Sequence, residues 1–251
     1  MNKKMTFGIL SFFLAAGLVF ISACAKTSPA AAVISTKTIT PTRTMSVTQT
    51  QTVLTTPTCT MTVTTTSTVV TVQLKCSGAP SVCGAADTGI IQAAPANNYG
   101  SSSVNSVGFS GTGVRRILMK FDVSSIPSGA EITDARLVFT INLLSSAVLP
   151  FAVSAHTVNS SWGEDTETWD THSGGDYYAT AQGSASVTST GSWVIFLDPA
   201  VVGQWVSGSL ANNGVLLKQD VENTTEDWLS IYMKEDTVEA ERPFLQVTYR
   251  N

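Results

Sequence analysis

No aspartate or glutamate occurs in the first 83 residues, which hold six basic side chains and no acidic one. All 18 acidic residues fall between Asp87 and Glu241, and against the eight basic ones of 84–251 they give that part of the chain a charge of −10. So acidic a body repels polyanions, which excludes nucleic acid as a partner. Histidine is scarce too. Of the two present, His156 sits in an alternating segment and reads as a satisfied or solvent-facing side chain, and neither it nor His172 has a serine or cysteine partner in a recognisable setting. No Gly-x-Ser-x-Gly elbow occurs, and no acidic run has EF-hand spacing. Carboxylates do cluster, but a glycosidase pair needs them roughly 5 to 9 Å apart across a cleft, a depth that a small β module rarely offers. The chain is therefore not read as an enzyme, and no cofactor is expected.

Long apolar runs are also missing, apart from one at 7–20 that is interrupted by Gly8, Ser11 and Gly17. Preceded by Lys3 and Lys4, it has the form of an export signal and is too short to read as a spanning helix. It ends in Ile21-Ser22-Ala23-Cys24, which resembles the lipobox of bacterial lipoproteins. That resemblance implies cleavage before Cys24 and diacylation of its thiol, with two acyl chains sufficing for stable anchoring. The partition expected is a lipoprotein signal peptide at 1–23, a tether at 24–83 and a folded module at 84–251. The module would sit at the outer face of the membrane, held there through its lipid.

Only three further cysteines remain. Cys76 and Cys83 bracket a short loop containing Gly78 and Pro80, and export permits a disulfide between them. Free thiols and metal ligation stay open as alternatives, although no histidine lies nearby to complete a zinc set. From Thr36 to Thr71 about half the residues are threonine. With so little aromatic and leucine content the segment is expected to be a disordered, solvated spacer of roughly 40 Å as a flexible coil. The alternative is that 60–74, where Thr and Val alternate, adds a β-strand to the module. The threonines are also plausible sites of glycosylation.

Beyond Gly84 the pattern changes to short apolar or alternating runs separated by Gly, Ser, Asn and Pro. Strands are predicted at 89–93, 104–109, 114–123, 132–144, 151–158, 193–198, 215–218, 229–234 and 244–249, a set that indicates an all-β sandwich or jelly roll. One short helix is signalled by Asp198 as N-cap, Pro199 in the first turn, Val201, Val202, Trp205 and Val206 on one stripe, and Gly208 as the stop.

Five ordered blocks carry a resemblance. They are Val114-Arg115-Arg116-Ile117-Leu118-Met119-Lys120-Phe121-Asp122-Val123 with its continuation to Leu137, Ser161-Trp162-Gly163-Glu164-Asp165-Thr166-Glu167-Thr168-Trp169, Val202-Gly203-Gln204-Trp205-Val206-Ser207-Gly208, Asn213-Gly214-Val215-Leu216-Leu217-Lys218, and Arg242-Pro243-Phe244-Leu245-Gln246-Val247-Thr248-Tyr249. Together they resemble the DNRLRE-type domain over nearly all of 87–249. The resemblance implies a non-catalytic jelly roll of secreted and surface proteins, some of whose relatives are carbohydrate-binding modules with alginate as a described ligand. This chain departs from the family pattern after Trp169, where Asp170-Thr171-His172-Ser173-Gly174 stands in place of a proline.

The segment from Trp162 to Tyr178 concentrates aromatic rings and carboxylates, the residue types that stack on sugar faces and hold hydroxyls. Tyr177 and Tyr178, beside Gly174 and Gly175, are the foremost ligand candidates, with Trp162, Trp169 and Glu164 as further ones. For the two tryptophans the competing reading is structural, as buried rings with Glu164 bonded to backbone. An anionic polysaccharide fits poorly with so acidic a module. Asp165, Glu167 and Asp170 have the chemistry to hold a structural calcium, although solvated loops explain them equally well. The function expected is binding of a polysaccharide or cell-envelope component. The alternative is a structural or adhesive surface protein with a protein partner.

Overall fold

The computed structural model describes residues 18–19, 45–55, 59–80, 83–111, 113–146, 149–222 and 225–251. Apart from 18–19, the segment 1–23 expected as an export signal lies outside the described residues, as does Cys24. The chain divides into two compact units, Met1–Val69 with Asn251, and Val70–Arg250.

In the first unit β1 (Leu18–Val19) and β2 (Met45–Thr55) lie antiparallel to β3 (Cys59–Lys75), with Met45 opposite Val69 and Thr55 opposite Cys59. The described parts of the threonine-rich segment, 45–55 and 59–71, thus run as strands where a disordered spacer was expected, and β3 covers the 60–74 stretch of the alternative reading. The reason lies in its Thr and Val content, since β-branched side chains are stiff and suit extended backbone. Within the second unit the last residues of β3 belong to the module. Val70, Val72 and Leu74 pack half-buried on its core, and Thr71 Oγ1 lies 3.0 Å from Thr248 Oγ1. The compact second unit thus takes in the end of β3 from Val70 onward.

Ten more strands follow: β4 (Ala85–Ile91), β5 (Val104–Ser110), β6 (Gly113–Phe121), β7 (Glu131–Ser145), β8 (Phe151–Val158), β9 (Tyr177–Val187), β10 (Gly191–Phe196), β11 (Val215–Gln219), β12 (Asp227–Tyr232) and β13 (Phe244–Arg250). They form an antiparallel sheet in the order β3-β13-β7-β12-β5-β6-β11-β8-β9, with β10 also on β7 and β4 also on β6. The sheet curls until its two halves face each other, because alternate residues of both halves share one core. Leu137, Phe139 and Ile141 of β7 and Leu245 and Val247 of β13 meet Ile117 and Met119 of β6, Val153 of β8 and Leu217 of β11. This is an all-β, jelly-roll-like fold.

The one α-helix among the described residues, α1 (Pro199–Ser207), forms where its signals stand. Asp198 Oδ1 accepts the Ala200 N–H at 2.9 Å, and Gly208 closes the helix in the left-handed region at φ 76°. Val202 and Trp205 are the residues it buries.

On the outer face of β4, β6, β8 and β11 a second, smaller apolar cluster joins Ile90, Leu118, Val158, Trp162 and Leu216. Leu118 and Leu216 alternate with inward-facing neighbours, so these inner strands are apolar on both sides. Something must cover the outer side, and the segment after β8 does so.

Candidate functional site

Residues 159–176 leave β8 and lie over that outer face before entering β9. Trp162 drops onto the small cluster, is 6% exposed, and donates its indole N–H to the Asn213 carbonyl at 2.8 Å. Lys120 Nζ stands 5.0 Å from its ring centroid. Trp169 packs on the same cluster. Gly174 lies against its ring at φ 73°, where an added Cβ would come 2.8 Å from Trp169 Cζ2. The turn demands glycine twice over, for its backbone and for want of room.

Arg116 of β6 clamps this segment in place. Its guanidinium carbon is 5.3 Å from the Trp169 ring centroid and 5.5 Å from that of Tyr177, and it donates to the Gly174 carbonyl. It also pairs in a fork with Glu222, Nε to Oε1 at 2.7 Å and Nη2 to Oε2 at 2.6 Å. Glu164 is likewise taken up in the fold. Its Oε1 accepts the Asp87 N–H at 2.7 Å, its Oε2 is 3.0 Å from Lys234 Nζ, and its carbonyl accepts from Asn98 Nδ2 at 2.7 Å. Burial first, opposed by these donors, raises its pKa above the ordinary value. Trp162, Trp169 and Glu164 are thus committed to packing and anchoring in this structure.

The carboxylates considered as calcium ligands do not converge. Glu167 Oε1 is held by His172 Nδ1 and by Thr171 Oγ1, each at 3.1 Å, while Asp165 and Asp170 are exposed. Asp176, farther along, closes the segment. Its carboxylate accepts from Ser160 Oγ and Asn159 Nδ2, both at 2.7 Å, and those two donors hold its pKa below the ordinary value.

Next to the Arg116 clamp the outer face is open. A groove of about 430 Å³ is lined by Ser154 and His156 of β8, Tyr177, Ala179, Ala181 and Ser184 of β9, and Lys218 and Asp220. Strand pairing builds it: Lys218 and Ser184 flank Ser154 in one row, and Leu216 and Ala181 flank His156 in the next. The small side chains of β9 leave the space.

At its floor His156 Nδ1 is 3.0 Å from the Tyr178 carbonyl, which can only accept. The proton therefore sits on Nδ1, and Nε2 accepts from Ser154 Oγ, also at 3.0 Å. Burial lowers the pKa of His156, the Tyr178 carbonyl opposes that shift and Lys218 adds to it, so the ring is neutral near pH 7. The ring meets Tyr177 edge to face, with centroids 5.0 Å apart.

The serine partner that a reading of the sequence does not find for His156 is thus Ser154. The two share one face of a strand as residues i and i+2, a spacing visible in the sequence once β8 is granted. Tyr177, expected in a loop, begins β9 and lines the groove. Tyr178 is 47% exposed and contributes its backbone carbonyl, while its side chain is not among the lining groups. The groove thus offers an aromatic ring, a hydroxyl, an ammonium and a carboxylate within one shallow surface, a set suited to a ligand rich in hydroxyl groups.

No curated protein matches the chain. The model of carbohydrate-binding module family 96 matches residues 81–249. Its span takes in the strands from β4 to β12, β13 as far as Tyr249, the Trp162–Trp169 segment and the groove. On that match the chain belongs to carbohydrate-binding module family 96.

Proposed function

We propose that the protein binds a glycan in the groove beside Tyr177, without catalysing a reaction on it, and that a lipid on Cys24 holds it at the outer face of the membrane. The observation that carries the binding assignment is the convergence of Tyr177, Ser154, His156, Lys218 and Asp220 on one open groove in a chain of a carbohydrate-binding family. A sugar ring stacks its apolar face on the tyrosine, and its hydroxyls exchange hydrogen bonds with the flanking polar groups.

The charge of the groove favours a neutral chain. Lys218 is matched by Asp220, Arg116 is engaged by Glu222, and His156 is neutral, so nothing there compensates a dense row of uronate charges. The DNRLRE-type resemblance, with alginate among its ligands, supports a polysaccharide but not a charged one here.

Affinity electrophoresis of the full chain through gels containing neutral polysaccharides or alginate tests this reading. Retardation by a neutral glycan, lost on Tyr177→Ala, is the expected result. Retardation by alginate alone would reverse the charge argument, and no retardation by any polysaccharide would point to a protein partner instead.

A further inference from the structure

Away from the groove, three carboxylates from distant parts of the chain meet. Asp87 comes from β4, Glu164 from the segment that covers the outer face, and Glu235 from the turn after β12. One oxygen of each lies within 4.8 Å of the others. Lys234 is the cation among them, 3.0 Å from Glu164 Oε2 and 2.6 Å from Glu235 Oε1, and it also donates to the Pro80 carbonyl at 3.2 Å.

The donors around these six oxygens leave two without a partner. Glu164 Oε1 accepts the Asp87 N–H, Asp87 Oδ2 accepts the Lys234 N–H at 2.9 Å, and Lys234 Nζ serves Glu164 Oε2 and Glu235 Oε1. Asp87 Oδ1 and Glu235 Oε2 are buried and have no hydrogen-bond partner among the described residues. Asp87 is only 2% exposed, so water does not solvate that oxygen freely. With all three carboxylates ionised, one ammonium leaves two negative charges in a place where desolvation makes unpaired charge costly, and the same burial pushes the Asp87 pKa well above the ordinary value.

We infer that Asp87, Glu164 and Glu235 form a divalent cation site, selective for calcium, that staples β4, the Trp162–Trp169 segment and the β12–β13 turn together. Its charge balances the two left over. Oxygen-only ligands of carboxylate type suit a hard cation, and calcium accepts the irregular geometry that three separate loops provide better than magnesium does. Lys234 keeps its pairs with Glu164 Oε2 and Glu235 Oε1 and is not a ligand. The site uses none of Asp165, Glu167 or Asp170, and it does not depend on glycan binding.

The test uses the full chain after dialysis against a chelator. Calcium is titrated by isothermal calorimetry and by thermal unfolding at pH 7.5, with magnesium in parallel, for the wild type and for Glu235→Gln and Asp87→Asn. The expected result is one site per chain and a rise in Tm of roughly 5 to 10 °C at about a hundredfold excess over the dissociation constant. Magnesium should produce little of this shift. Glu235→Gln, which keeps the Lys234–Glu164 pair, should weaken calcium at least tenfold while its circular dichroism in chelator stays that of the wild type. If Asp87→Asn fails to fold, the Glu235→Gln comparison decides alone. A wild type whose Tm and calorimetric heat ignore millimolar calcium would overturn the inference and leave Lys234 as the sole counter-ion. Equal calcium binding by wild type and Glu235→Gln would overturn it as well, placing the ion elsewhere.

Discussion

His156 shows how burial converts a side chain of ordinary chemistry into one with a defined role. Its Nδ1–H is fixed by the Tyr178 carbonyl, and the ring is 7% exposed. Because burial depresses its pKa in the folded state, the unfolded chain takes up a proton first as the pH falls. The stability it contributes is therefore complete above about pH 6.5, the unperturbed value, and is lost as the pH drops from there toward the lowered folded value. Urea midpoints measured from about pH 8 to 5 should fall more steeply for the wild type than for His156→Gln, and parallel curves would contradict this. Trp162 is the corresponding packing residue. It fills the small outer cluster, and its N–H has one partner, Asn213. Trp162→Ala should cost about 3 to 5 kcal/mol in urea unfolding, the range for losing a buried large aromatic ring. A loss below 1 kcal/mol would mean that the segment over the outer face is held without it.

Among the elements, the disulfide between Cys76 and Cys83, with Cα atoms 5.0 Å apart and a sequence separation of 7, ties the exit of β3 to the entry of β4. Arg242 reinforces the same junction by donating Nη1–H bonds to the carbonyls of Cys76 at 3.2 Å and Gly78 at 2.7 Å. Closing so short a loop contributes about 2.5 kcal/mol on a chain-entropy estimate. Cys76→Ser/Cys83→Ser should lower the unfolding free energy by roughly that amount, and reduction of the wild type should do the same. Most strands and the helix are readable from sequence because their signals are local. The 151–158 prediction coincides with β8 as observed, and Asp198, Pro199 and Gly208 mark both ends of α1. β9 is not readable. Its run Ala179-Thr180-Ala181-Gln182-Gly183-Ser184-Ala185-Ser186 carries no large apolar side chain on either face, so the period-2 signal is missing. Gly183 stands there because Phe196 comes so near that an added Cβ would lie 2.0 Å from its carbonyl oxygen, which is a property of packing and not of the local chain.

For the whole molecule, the proposed export signal and lipid anchor at Cys24 make a prediction independent of the fold. Metabolic labelling with a fatty-acid analogue should mark the wild type and leave Cys24→Ala unmarked, and a labelled Cys24→Ala protein would remove the lipid anchor from the proposal. The all-β class, the caps of α1 and the acidic character of the module follow from residue type and spacing, because alternation, helix caps and net charge are properties of neighbours along the chain. The site is different in kind. Tyr177 becomes a groove wall only because β9 pairs with β8. The Trp162–Trp169 block turns out to be a cover because Leu118 and Leu216 make the strands beneath it apolar on their outer side. Asp87, Glu164 and Glu235 come together across 77 and then 71 residues of chain. Contacts at such separation arise from how strands pair and fold over one another, and the linear order of residues carries no local signal for them.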